Sequence, residues 1–177
     1  KAGSPQDQDE QAKMMELYMK MAKPGKQHQE LSQLVGKWNV EMTSHCTPGT
    51  PMTSKGSTTF ETILGGRFVV QRLKADIGDG MTMEGFQILG YDNVNKEYVG
   101  VWLDNWSTGI HASSGQTDEN GQVCMKGLMK DVMTPEGRPF RSVQKQAGND
   151  KFTIELHDTK DGKEFKMMDM VYTRVKP

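Results

Sequence analysis

A closed antiparallel β-barrel of about ten strands, preceded by one or two short helices, is the fold this chain predicts, and three observations carry that prediction. From Gly36 onward the hydrophobic period is two: Trp38, Val40 and Met42 alternate with Lys37, Asn39 and Glu41. Roughly ten short runs of this kind follow one another, separated by residues that favour turns. The first run opens on Gly36-Lys37-Trp38, and the last closes on Tyr172-Thr173-Arg174, just before the C-terminus. A barrel sets its first and last strands side by side, so the Trp38 indole and the Arg174 guanidinium can stack across the seam. Gly36, Trp38 and Arg174 are therefore assigned to barrel closure.

Each element has a local reason. Met14, Leu17, Tyr18 and Met21 recur at helical spacing within residues 9–21, and Lys23-Pro24-Gly25 stops that helix. A second short helix is expected over 28–34, and both pieces are expected to lie against the barrel or across one end. After the first strand, runs follow at 55–63, 67–74, 81–89, 97–103, 109–114, 122–129, 140–146, 151–157 and 164–174. Gly65-Gly66, Gly78-Asp79-Gly80, Glu119-Asn120-Gly121, Gly148-Asn149-Asp150 and Lys160-Asp161-Gly162 supply residues that tolerate positive φ where hairpins need them. The Pro-rich segment 46–54 is longer and is expected to form a flap at the barrel mouth. Residues 1–25 form a polar lead and helix, and 26–177 form the barrel domain.

Composition excludes several classes. With 22 basic and 23 acidic side chains in 177 residues there is no electrostatic footprint for nucleic acid. No apolar run reaches the roughly 20 residues of a membrane-spanning helix. The polar Gln/Asp-rich lead, starting at Lys1 rather than Met, leans toward an exported or periplasmic chain over a cytoplasmic one. Cys46 and Cys124 make neither a metal-site spacing nor a redox pair, and either a disulfide or two ordinary thiols fits them. His28, His45, His111 and His157 show no ligand spacing. Gly65-Gly66 and Gly78-Asp79-Gly80 are hairpin turns, because no helix start follows either.

A candidate site emerges from the run 97–105. Val99, Val101 and Leu103 form one face; Tyr98, Gly100, Trp102 and Asp104 form the other. Turned inward, the second face makes the lumen a mixed cavity; turned outward, Trp102 packs under the N-terminal helix and Asp104 is solvated. Alternation leaves both arrangements open. A ten-stranded barrel is wider than one whose side chains just fill it, so space must remain or be taken by large residues. Trp102 and Tyr98 with nearby methionines would then supply an apolar wall, and Glu84, Asp104 and His111 would orient one polar end of a ligand. Arg67, beside Gly65-Gly66, is an alternative anchor.

The ordered motifs Leu34-Val35-Gly36-Lys37-Trp38, Leu64-Gly65-Gly66-Arg67-Phe68, Glu84-Gly85, Gly90-Tyr91-Asp92, Tyr98, Trp102-Leu103-Asp104 and Tyr172-Thr173-Arg174 resemble those of the bacterial domain of unknown function family 1579. The resemblance runs from about residue 26 onward and implies a calycin-like barrel, akin to lipocalins and the haem-binding nitrobindins. It implies no biochemical role. Nitrobindin-like barrels hold haem iron through a histidine near the end of the last strand, where this chain reads Lys166-Met167-Met168-Asp169-Met170-Val171-Tyr172. A lone thioether is a weak iron anchor, and His157 faces away from Phe152, Ile154 and Leu156, so no haem or other cofactor is expected.

Fourteen methionines stand out. Met14, Met15, Met19 and Met21 with Met167, Met168 and Met170 invite a copper(I) reading, but adaptable packing explains thioethers at helix-buried and cavity positions more simply, and no metal site is assigned. The function expected is non-catalytic binding of a small, largely apolar molecule in the barrel. The alternatives are a filled barrel serving as a structural or interaction module, with a possible homodimer, and an enzyme using Glu84, Asp104 and His111 as acid/base groups.

Overall fold

The computed structural model describes residues 5–47, 49–132, 134–160 and 162–176. The expected lead before residue 5, Pro48 of the expected flap, Asp161 of the last expected turn and Pro177 lie outside them. Two helices, α1 (Pro5–Met21) and α2 (Lys26–Ser32), precede ten strands: β1 (Gly36–Ser44), β2 (Met52–Ile63), β3 (Phe68–Asp76), β4 (Thr82–Asp92), β5 (Glu97–Asp104), β6 (His111–Thr117), β7 (Val123–Met129), β8 (Arg138–Gln146), β9 (Lys151–Lys160) and β10 (Lys163–Arg174). Every strand pairs antiparallel with its sequence neighbours, and β1 pairs with β10, so the sheet closes. The seam sets Trp38 opposite Arg174 and Val40 opposite Tyr172. No helix of the described residues is long and apolar enough to cross a membrane.

The strand rhythm is legible in strands such as β1 and β9, where an apolar inner face alternates with a wet outer one. Several boundaries differ from expectation, and β4 and β9 run three residues further, to Asp92 and Lys160. The end of the segment expected as a flap is strand, since β2 begins at Met52 and pairs Thr53 with Thr43 of β1. β6 begins at His111 and runs on to Thr117. β8 starts at Arg138 and so includes Pro139, which is tolerated because the ladder with β9 begins only at Phe140.

One end of the barrel is closed by α2. Leu31 and Leu34 join Trp38, Leu89 and Tyr98 in the core, and the Trp38 Nε1–H donates to the Leu34 carbonyl at 2.7 Å. His28 is buried beside Tyr91, and its Nδ1 accepts the Gly25 N–H at 3.0 Å. Burial lowers its pKa, which suits a neutral ring acting as acceptor. Above this floor the lumen is packed by aromatic rings: Phe152 stands edge-on to Trp38 at 4.9 Å and stacks on Tyr172 at 4.2 Å.

The N-terminal helix behaves differently from expectation. Met14, Leu17 and Tyr18, spaced to be buried, are each more than half exposed. α1 is held at its C-terminal end, where Asn93 Nδ2 donates to the carbonyls of Met21 and Lys23 at 2.7 and 3.0 Å, while its apolar stripe stays uncovered. Periodicity states which face is apolar, not what covers it. The two thiols are not joined: Cys46 is exposed, and Cys124 on β7 donates to Asp118 Oδ2 at 3.8 Å.

Tyr172 provides a pH-dependent test of this core. Burial pushes its hydroxyl up to about 12 from an ordinary 10.0, while Gln71 Nε2 donates to its oxygen at 3.4 Å. A folded pKa above the unfolded one means that stability is intact below pH 10 and falls from there toward about pH 12. Urea midpoints measured at pH 9, 10 and 11 are expected to drop in the native chain and to drop less in Tyr172→Phe; equal slopes would count against a buried Tyr172.

Candidate functional site

Beyond the aromatic layer the lumen is open. A cavity of about 310 Å³ is walled by residues of every strand, and its position follows from alternation along them. The Trp102 face of β5 turns inward, which resolves the question that sequence left open. Trp102 stands opposite Gln87 of β4 and His111 of β6, and Gln87 stands opposite Gln71 of β3. Gln71, Gln87, Trp102 and His111 thus form a polar row across four strands, and all line the cavity.

Trp102 is held in place from two sides. Its Nε1–H donates to Asp104 Oδ2 at 2.8 Å, and its ring lies over Gly85, where a Cβ would fall 2.2 Å from Cη2. The other carboxylate oxygen of Asp104 accepts the N–H groups of Trp106 and Ser107, each at 3.0 Å. Asp104 therefore positions the indole and the β5–β6 turn together. The spacing Glu84-Gly85 with Trp102-Leu103-Asp104 acquires a physical meaning, since Gly85 pairs with Asp104 and only glycine leaves room for the ring.

The expected site residues divide. Trp102, Asp104 and His111 line the cavity. Glu84 does not: it lies on the outer face, where its Oε1 accepts from Lys74 Nζ at 3.2 Å, because its neighbours Met83 and Gly85 take the inward positions. The acid/base grouping of Glu84, Asp104 and His111 is therefore not assembled. Tyr98 points inward but at the closed end, with its hydroxyl donating to Glu30 Oε2 at 3.1 Å, so it belongs to the floor. Arg67 is exposed and folds back on its own turn, donating to the Leu64 carbonyl at 3.0 Å. At the seam the Arg174 guanidinium lies 4.1 Å over the Trp38 ring, and Gly36, at φ +128°, leaves room for it: a Cβ there would meet Arg174 Nη1 at 2.8 Å.

Several lining residues escaped sequence reasoning. Gln71 interrupts the inward series Val69, Leu73 and Ala75, and Ser142 and Gln144 share the inward face of β8 with Phe140; a polar residue at an apolar register position is the signal that was available. Methionines gather here as well. Met83, Met125 and Met129 reach the cavity, as do Met167 and Met168, which are adjacent in sequence and share the inner face because β10 bulges between Lys166 and Met168. Among the described residues no group of three or more His, Cys, Asp or Glu is arranged to hold a metal ion.

Among the solved structures similar to this chain are two natural proteins. Rv2717c from M. tuberculosis is 15% identical with a TM-score of 0.66, covering 87% of this chain and 100% of its own. The S-type phycobiliprotein lyase CPES from Guillardia theta is 11% identical with a TM-score of 0.62, covering 86% of this chain and 94% of its own. At such identities they show the shared fold. No curated protein matches the chain at a significant level. The match that spans residues 23–174, from the α1–α2 junction to the closing arginine, is to a sequence family, and the chain belongs to it: the family described as protein of unknown function, DUF1579.

Proposed function

We propose that the protein binds a small, largely apolar molecule, without transforming it, in the open half of the barrel. The observation that carries this reading is the division of the lumen: aromatic rings fill the half next to α2, whereas the other half keeps a cavity of about 310 Å³. That volume lies at the lower end of the range of small-molecule sites. Its wall joins methionines and aromatic rings to a few convergent polar groups, the composition such sites share. Flexible thioethers adapt to a guest's outline at little cost, which suits a site that accepts related shapes. A barrel serving only as a scaffold gains nothing from the space, because each missing contact lowers its stability.

Native mass spectrometry of the protein purified from its own host tests the reading. The expected spectrum shows a non-covalent adduct at one per chain that disappears on denaturation. A bare protein whose melting temperature also fails to rise with any member of a panel of small apolar compounds would overturn it.

A further inference from the structure

We infer that the guest of the barrel is an uncharged molecule, an inference that rests on the cavity-binding reading and narrows it. Gln87, His111, Ser113, Ser142 and Gln144 line the cavity, and none of their side chains hydrogen-bonds to any described residue. They stand on β4, β6 and β8, and β4 and β8 lie on nearly opposite sides of the ten-strand ring. Polar side chains at inward positions without protein partners need water or a guest to satisfy them, and what they offer is amide and hydroxyl hydrogen bonding from facing walls.

Fixed charge is handled in the opposite manner. Among the described residues, neither lysine nor arginine lines the cavity. Arg138 shares the inward register of Phe140 and Ser142 and reaches Met129 of the wall, but it is already held. Its Nε donates to both oxygens of the buried Asp158 at 2.8 Å, Nη1 donates to Asp131 and to Thr134 Oγ1, and Nη2 meets Met129 Sδ at 3.5 Å. Asp104, the acidic residue of the wall, is engaged by Trp102, Trp106 and Ser107. An anionic guest would exchange water for neutral dipoles and approach the Asp104 carboxylate with no counter-charge. A cation would have to share Asp104 with the three N–H groups that already hold it, at the expense of the bonds that fix Trp102 and the β5–β6 turn. An uncharged guest meets neither penalty, and the polarisable thioethers and rings around it favour an unsaturated or aromatic skeleton.

Two dyes with one ring system separate the possibilities. N-phenyl-1-naphthylamine is neutral, whereas 8-anilino-1-naphthalenesulfonate adds a sulfonate; both are titrated by fluorescence at pH 8. The neutral dye is expected to bind at least tenfold more tightly. Placing an ammonium on the wall with Gln144→Lys, or with Gln87→Lys where the first variant is not folded by circular dichroism, is expected to shift the ratio toward the sulfonate by at least tenfold. Tighter binding of the sulfonate to the native chain, or a ratio that neither lysine variant moves, would overturn the inference while leaving the cavity-binding reading in place. Failure of both dyes to bind would overturn that reading and this inference together.

Discussion

Replacing Arg174 with alanine is expected to lower stability by about 3 kcal/mol, roughly 6 to 12 °C in melting temperature for a chain of this size, while leaving ligand preference unchanged. Arg174 joins three parts of the chain that meet only through tertiary structure. Nη1 and Nη2 donate to the carbonyls of Val35 and Gln33, at 2.7 and 2.6 Å, just past the end of α2. Nε donates to the Asn149 carbonyl at 3.1 Å and lies 3.4 Å from Asp150 in the β8–β9 turn, and the plane of the group covers Trp38. Charge-assisted hydrogen bonds of this kind are each worth about 1.5–3 kcal/mol when a partner is left unsatisfied, but the side chain is partly solvated and water recovers some of that loss. Arg174→Lys should rescue little, because an ammonium cannot spread over the indole and reach separate carbonyls at once. Thermal denaturation with dye titration checks both halves of the expectation. An unchanged melting temperature would remove Arg174 from barrel closure, and an altered dye preference would show that the seam and the cavity are coupled.

Gly85→Leu should damage the cavity itself, with at least a tenfold loss of N-phenyl-1-naphthylamine affinity and about 2 kcal/mol of destabilisation from overpacking. A Cβ at this position falls 2.2 Å from Cη2 and 2.4 Å from Cζ2 of Trp102, so the indole must swing away. That breaks its bond to Asp104 and loosens the turn that Asp104 holds through Trp106 and Ser107. Near-UV circular dichroism should report the displaced indole directly. The double variant Gly85→Leu with Trp102→Leu removes the clash and should recover stability without recovering affinity, since the wall loses its ring. Native-like near-UV signal and dye binding in Gly85→Leu would mean that Trp102 is not packed on Gly85 as described.

Much of the barrel was legible before any coordinates. Alternation along β1 and β9, turn residues at the hairpins and the pairing of Trp38 with Arg174 all reflect constraints local to a strand or to the two chain ends. Those constraints suffice because a strand with one apolar face and one wet face has few ways to be buried. Boundaries were less legible where the cue was absent: Met52 and Thr53 read as loop because a proline precedes them, and Pro139 hid the start of β8.

The candidate site was only half legible. Trp102, Asp104 and His111 were named as candidates with the direction of their face left open, and Glu84 was grouped with them because polarity alone does not state which way a side chain points. Its register opposite Lys74 turns it to solvent. Tyr98 and Trp102 share a face but lie at different heights, so one joins the floor beneath α2 and the other the cavity wall. α1 illustrates the same gap, with an apolar stripe that the barrel leaves uncovered.

Hydrophobic period and turn chemistry act between neighbours in the chain, and from them alone follow ten strands, their order and closure by Gly36, Trp38 and Arg174. Where the lumen is filled by Phe152 and Tyr172, where it stays open, and which of its polar side chains go without partners depend on strand register and on groups brought together from distant segments. Such contacts arise from how rings and thioethers share a closed volume, a property of the assembled sheet that no single strand carries.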